Sequence, residues 1–178
     1  MDYHQIDRKK LYSGPVFDVV KVFLQLPDQR KKSYDLVEHN GSVTIVPVDD
    51  DGQIFFVRQY RVGAGQPVLE LPAGVLEHNE DPLVSAKREL REEIGMGARE
   101  LKKLGSFYLA PGYTSEHMTI FLARGLYPSP LDPDEDEFLE IIKLPIEAVY
   151  QQAFAGRIQD GKTLAGLLLA LPDIKKEA

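Results

Sequence analysis

The chain predicts a mixed α and β fold, and three observations carry that expectation. Short β-branched and aromatic runs alternate with turn signals, one amphipathic segment has both a helix start and a helix stop, and two further helical segments close the chain. Residues 16–26 and 33–38 read as strands around the turn Pro27-Asp28-Gln29. Residues 42–48 form an apolar run of strand length, and Asp49-Asp50-Asp51-Gly52 turns it into a second strand over 53–58. A short strand over 68–71 ends at Pro72-Ala73-Gly74. The clearest helix follows. Asp81 caps it, Pro82 suits its first turn, Leu83, Ala86, Leu90 and Ile94 make one apolar stripe, and Gly95 stops it. Strands are expected near 101–108, 118–123 and 138–144, and helices over 146–155 and 162–171. The chain divides near His39-Asn40-Gly41 into an N-terminal β arm, 1–40, and a main domain, 41–178.

Composition narrows the function classes. With 178 residues, 43% apolar and 28% charged, the chain can build one domain with a full core, or a compact domain with a small appendage. It has no cysteine, which removes disulfide frameworks, thiolate metal sites and cysteine nucleophiles together, and suits a cytoplasmic location. No apolar run reaches the roughly 18 residues of a membrane span, and MDYHQIDRKK lacks the apolar stretch of a signal peptide. A formal charge of −7 argues against a polymeric nucleic acid partner, whose phosphates call for a basic face.

The position of the acid matters more than its sum. Residues 70–93 hold seven acids (Glu70, Glu77, Glu80, Asp81, Glu89, Glu92, Glu93) against three bases, and 132–140 hold six acids and no base. An acidic run is ordinarily a solvated face. On the predicted helix, however, Glu89, Glu92 and Glu93 fall three and four residues apart and crowd one face, opposite the apolar stripe. Like charges so spaced repel unless a cation sits between them, and Arg88 alone does not neutralise three carboxylates. Hard divalent ions such as Mg²⁺ favour such oxygen ligands, with Mn²⁺ as a substitute. The competing reading is a surface helix laced with Arg–Glu pairs.

A second motif fails on its context. Gly156-Arg157-Ile158-Gln159-Asp160-Gly161-Lys162-Thr163 spells G-x-x-x-x-G-K-[ST], but a phosphate loop needs a buried strand before it and further strands after it. The lead-in reads as helix and only 15 residues follow Thr163, so the stretch is expected to be a helix–turn–helix.

Residues 74–96, GVLEHNEDPLVSAKRELREEIGM, resemble the Nudix box, G-x5-E-x7-R-E-U-x-E-E-x-G-U with U apolar, at every specified position. The resemblance implies a loop–helix–loop that binds divalent metal, in a Nudix fold whose mixed sheet is sandwiched between helices. It implies Glu89 and Glu93 as the principal metal ligands with Glu92 assisting, Arg88 orienting the carboxylates or touching phosphate, and Glu80 bracing that arginine. The flanking stretches Val57-Arg58-Gln59-Tyr60-Arg61, Leu69-Glu70-Leu71-Pro72-Ala73-Gly74, Pro111 at fifteen residues past the box, and 156–169 resemble the ADP-ribose pyrophosphatase branch. Hydrolases of GDP-mannose and other nucleotide sugars share several of these flanks. The branch implies a backbone carbonyl ligand from Ala73 and a substrate approach by Arg61. It implies roles for Glu77 and Glu116 near the terminal ribose or attacking water, and adenine stacking by Tyr12 or Phe17. It also implies a general base from the acidic loop 131–137, where register favours Glu135, with Glu137 as an auxiliary or metal-linked carboxylate and Asp134 and Asp136 as alternatives. The arm strands need another surface to pack on, and the resemblance implies a homodimer with exchanged arms. The expected reaction is Mg²⁺-dependent cleavage of ADP-ribose to AMP and ribose 5-phosphate. The alternatives are another nucleoside diphosphate sugar such as GDP-mannose, or a Nudix-like sensor that binds without cleaving. Ala110, His117-Met118 and Tyr113 depart from the branch pattern.

Overall fold

The computed structural model describes residues 1–132 and 138–175. They divide into two compact units, one of residues 1–41 with 107–118, the other of 42–106 with 119–175. The first holds β1 (His4–Ser13), β2 (Phe17–Gln25) and β3 (Lys31–His39) in an antiparallel sheet of order β1-β2-β3. The β2–β3 register runs without a slip from Phe17 opposite His39 to Gln25 opposite Lys31. Its turn closes through the Leu26 N–H donating to the Arg30 carbonyl at 2.8 Å, with Gln29 at φ +67°. Segment 107–118 adds to the other end of β3. The Val37 N–H donates to the Tyr113 carbonyl at 2.8 Å, and the Ser115 N–H donates back to the Val37 carbonyl at 2.9 Å.

β1 was not expected as a strand, and the reason is physical. All ten of its residues are exposed, so HQIDRKKLYS carries neither the apolar alternation nor the buried run that marks a strand in sequence. Pairing with β2 alone makes it one, with register shifts between Gln5 and Asp7 and between Lys10 and Tyr12.

The second unit contains β4 (Ser42–Pro47), β5 (Gln53–Arg61), β6 (Gln66–Glu70), β7 (Ala73–Val75), α1 (Pro82–Glu93), most of β8 (Met96–Tyr108) and of β9 (His117–Pro128), β10 (Glu140–Pro145), α2 (Ile146–Phe154) and α3 (Gly161–Ile174). Its strands form sheets of order β10-β5-β6 and β7-β4-β9-β8. All six residues of β4 are buried, so both of its faces are covered. Val43 and Ile45 pack with Ala86 and Leu90 of α1 and with Ile94 at its C-terminal cap, with Phe121 and Ala123 beside them. On the alternate register, Val46 and Ile120 meet α3, where a Cβ at Gly166 would lie 3.4 Å from Val46 and 2.9 Å from Leu71. Period-two alternation therefore assigns one face of β4 to each helix, and the expected sheet between helices is borne out. The Asp49–Gly52 turn forms as read, with Gly52 at φ +71° and the Asp49 carboxylate accepting the Gln53 N–H at 2.9 Å. Among the described residues no helix is long and apolar enough to cross a membrane.

Candidate active site

α1 begins as its sequence dictates. The Asp81 carboxylate accepts the Leu83 N–H at 2.7 Å, Pro82 opens the first turn, and Gly95 at φ +69° follows the last. Two details differ from the sequence reading. Leu83 is 37% exposed and leaves the apolar stripe. The buried face is instead Ser85, Ala86, Glu89, Leu90 and Glu93, so two of the three box carboxylates flank the apolar stripe rather than oppose it.

Burying two carboxylates calls for partners. The β7 backbone and Arg88 supply them. The Glu93 carboxylate accepts the Ala73 N–H at 3.0 Å. The Glu89 carboxylate fills the space where a side chain at Gly74 would begin, so a Cβ there would overlap it. Ala73 and Gly74 are set by antiparallel pairing with Thr44 and Val43 of β4, and by the Ile45 N–H donating to the Pro72 carbonyl at 2.9 Å. Arg88 reaches Glu89 at 2.7 Å, Glu92 at 2.8 Å and Glu80 at 3.3 Å. Burial works against its charge, but Glu80, Glu89 and Glu92 outweigh that and hold the guanidinium above its usual range. Glu80 in turn accepts the Glu77 N–H at 2.9 Å, and its carboxyl is held below the ordinary value because this bond and Arg88 outweigh its burial. The bracing of Arg88 by Glu80 is thus as the box resemblance implied.

Beside this group, Glu70, only 2% exposed, ends β6. Its carboxylate takes Arg61 Nε at 2.8 Å and Nη2 at 2.6 Å in a bidentate pair, and also accepts Lys162 Nζ. Burial pushes Glu70 up, but Arg61 and Lys162 outweigh it and keep the carboxyl below its ordinary value. Arg61 is raised by Glu70 against its own burial, with Glu93 and Asp160 contributing to the field. Arg61, Gln66, Glu70, Gln159 and Lys162 line an open cleft of about 280 Å³. Sequence reasoning missed Glu70 and Lys162. The available signal was a charged residue at the edge of an apolar run in each of Val68-Leu69-Glu70-Leu71 and Lys162-Thr163-Leu164.

Ala73, Arg88, Glu89, Glu92 and Glu93 are therefore gathered in the second unit, with Arg61 in the field of Glu93. Glu77 is exposed on the loop before α1. Glu116, Tyr12 and Phe17 belong to the first unit. There the Glu116 N–H donates to Thr114 Oγ1 at 3.1 Å, and the exposed rings of Tyr12 and Phe17 lie 6.3 Å apart. Glu135 and Glu137 lie outside the described residues.

Among the described residues no three His, Asp or Glu side chains are gathered as a metal cage. The donor chemistry nonetheless fits a hard divalent cation, because two buried carboxylates converge on the Ala73–Gly74 backbone.

The class of protein follows from this frame and from comparison with known proteins. A family model described as the NUDIX domain matches residues 38–167, and the chain belongs to that family. The resemblance to the ADP-ribose pyrophosphatase branch is borne out by its relatives. An "ADP-ribose pyrophosphatase" of Bacillus subtilis (strain 168) is 34% identical over 160 residues, covering 89% of this chain and 86% of that protein. A "Methanol dehydrogenase activator" of Bacillus methanolicus is 34% identical over 161 residues, covering 89% and 87%. A crystal structure of an "ADP compounds hydrolase" superposes over 100% of this chain and 97% of that one, with a TM-score of 0.87 at 26% identity.

Proposed function

We propose that this protein hydrolyses the pyrophosphate of ADP-ribose to AMP and ribose 5-phosphate, using Mg²⁺. It is a NUDIX hydrolase, and relatives matched over 86% and 82% of their own length bear that activity in their names. The observation that carries the reading is the pair of buried carboxylates, Glu89 and Glu93, closed onto the Ala73–Gly74 backbone with Arg88 locked beside them.

Glu89, Glu93 and the Ala73 carbonyl would hold the cation, with Glu92 assisting. Bound there, it supplies charge neutralisation of the pyrophosphate and a water of lowered pKa. The chain's own groups do the rest. Arg88 keeps the carboxylates apart and oriented, tethered by Glu80. Arg61 offers its guanidinium to a phosphate. Glu135 takes the proton of the attacking water as general base, with Glu137 as its auxiliary. Glu77 and Glu116 serve the ribose or water region, and Tyr12 or Phe17 stacks the adenine. We assign a homodimer through the arm, which the exposed Tyr3, Leu11, Tyr12, Val16 and Phe17 support, and a cytoplasmic location, in keeping with the cysteine-free sequence.

Incubation with Mg²⁺ and ADP-ribose or GDP-mannose, with release of AMP or GMP measured, tests the substrate. AMP release from ADP-ribose in preference to GMP release from GDP-mannose is expected. No turnover, or preference for GDP-mannose, overturns the reading. Glu93→Gln should abolish turnover while leaving the thermal melt cooperative.

A further inference from the structure

The G-x-x-x-x-G-K-T spelling is not a phosphate cradle, yet its last four residues are not idle. α2 ends at Phe154, so no strand leads into the turn, and α3 starts at Gly161. Asp160 caps α3, accepting the Thr163 N–H at 2.9 Å and the Thr163 hydroxyl at 2.6 Å. Fully buried Thr163 then accepts the Leu71 N–H at 2.8 Å, which pins the start of α3 to the residue between Glu70 and Pro72. Lys162, one residue earlier, delivers its ammonium to Glu70 and to Asp160, the latter at 3.1 Å.

Charge balance shows what this does. Arg61 alone on Glu70 would make a neutral, self-satisfied pair. With Lys162 on the same carboxylate, two cations share Glu70. Asp160, capping α3, takes the same ammonium at 3.1 Å, so the two cations are balanced by two carboxylates and Lys162 ties Glu70 to the start of α3. The bidentate contact fixes the plane of the Arg61 guanidinium, and Lys162 on the same carboxylate holds Glu70 in place for it. Its Nη1 takes no hydrogen-bond acceptor among the described residues, and the side chain is 42% exposed at the edge of the open cleft.

We propose that Lys162 is a positioning residue for the hydrolysis: acting through Glu70, it holds Arg61 oriented for the pyrophosphate of the substrate. This rests on the substrate reading above. Lys162 itself need not touch the substrate.

The test is a double-mutant cycle in kcat and KM for ADP-ribose with Mg²⁺. Lys162→Met should raise KM about tenfold with kcat changed less than about twofold, since orientation of a ground-state phosphate contact is lost. Lys162→Arg should recover most of that loss. Arg61→Ala with Lys162→Met should be no worse than Arg61→Ala alone, because the one effect passes through the other. Should Lys162→Met fail to fold, Glu70→Gln carries the test. It should raise KM in the same way, and adding Lys162→Met to it should change KM no further. An unchanged KM, a fall confined to kcat, or multiplying effects in either cycle overturns the proposal. If the wild-type protein releases no AMP from ADP-ribose, the substrate reading fails by itself. The same cycles are then read by calorimetry with Mg²⁺ and inorganic pyrophosphate, where equal affinities across the variants overturn the coupling.

Discussion

Gly74→Ala separates the carboxylate face of α1 from the stability of the fold. Gly74 is not among the positive-φ glycines, so the backbone accepts alanine, and the atoms nearest the added Cβ belong to a side chain. They are the carboxylate of Glu89, the far end of a flexible side chain. That carboxylate must swing away and lose its 2.7 Å contact with Arg88. A partly buried ion pair contributes about 1–2 kcal/mol, and the 28% exposure of Arg88 keeps this one in that range. A strained rotamer adds about 1 kcal/mol. The sum, about 2–3 kcal/mol, corresponds to a melting point lower by about 4–12 °C in a chain of this size. Displacing a ligand carboxylate should cost much more in turnover, at least about 100-fold in kcat/KM for ADP-ribose. Differential scanning calorimetry and a Mg²⁺-dependent AMP-release assay read the two quantities. Near-normal kcat/KM would refute the placement of Glu89 in the site, and loss of the cooperative transition would refute the claim that only a side chain must move.

Three further outcomes follow from the same contacts. Thr163→Val keeps the volume but strands the buried Leu71 N–H, and should lower unfolding free energy by about 2–3 kcal/mol in urea titrations; a loss under about 0.5 kcal/mol would contradict the staple. Glu70, held below the ordinary glutamate value when folded, contributes stability that is present above that ordinary value and is lost as pH falls through the depressed folded value. Denaturation curves taken across the acid range should show that loss, and Glu70→Gln should flatten it; an unchanged acid limb would dismiss the Glu70 contribution. Glu135→Gln should slow kcat far more than Asp132→Asn, and equal effects would move the base to another residue of the acidic stretch.

Legibility in the sequence tracked how local each determinant is. α1 was readable to its ends because its cap, first-turn proline, apolar spacing and terminal glycine all act within one turn of where they stand. β4 and β5 were readable for the same reason, through an apolar run and an Asp-Gly turn. β1 was not, because its ten exposed residues become a strand only against β2. β7, three residues long, is defined by its pairing with β4. The joining of 107–118 to the arm depends on Val37 meeting Tyr113 and Ser115 across more than seventy positions of chain.

The candidate site divides along the same line. By itself, the sequence determined the family, the helix that carries Glu89, Glu92 and Glu93, and the concentration of acid in two stretches of chain, because spacing along a single helix settles which side chains share its surface. Only the tertiary structure decided that Glu89 and Glu93 are buried against Ala73 and Gly74, that Arg88 spans three carboxylates, and that Glu70 joins Arg61 to Lys162. Glu70 and Lys162 are ninety-two positions apart, and no local pattern records a carboxylate's partners at that distance. The cost of leaving a buried charge unpaired selects them, and that cost exists only once the chain has closed around it.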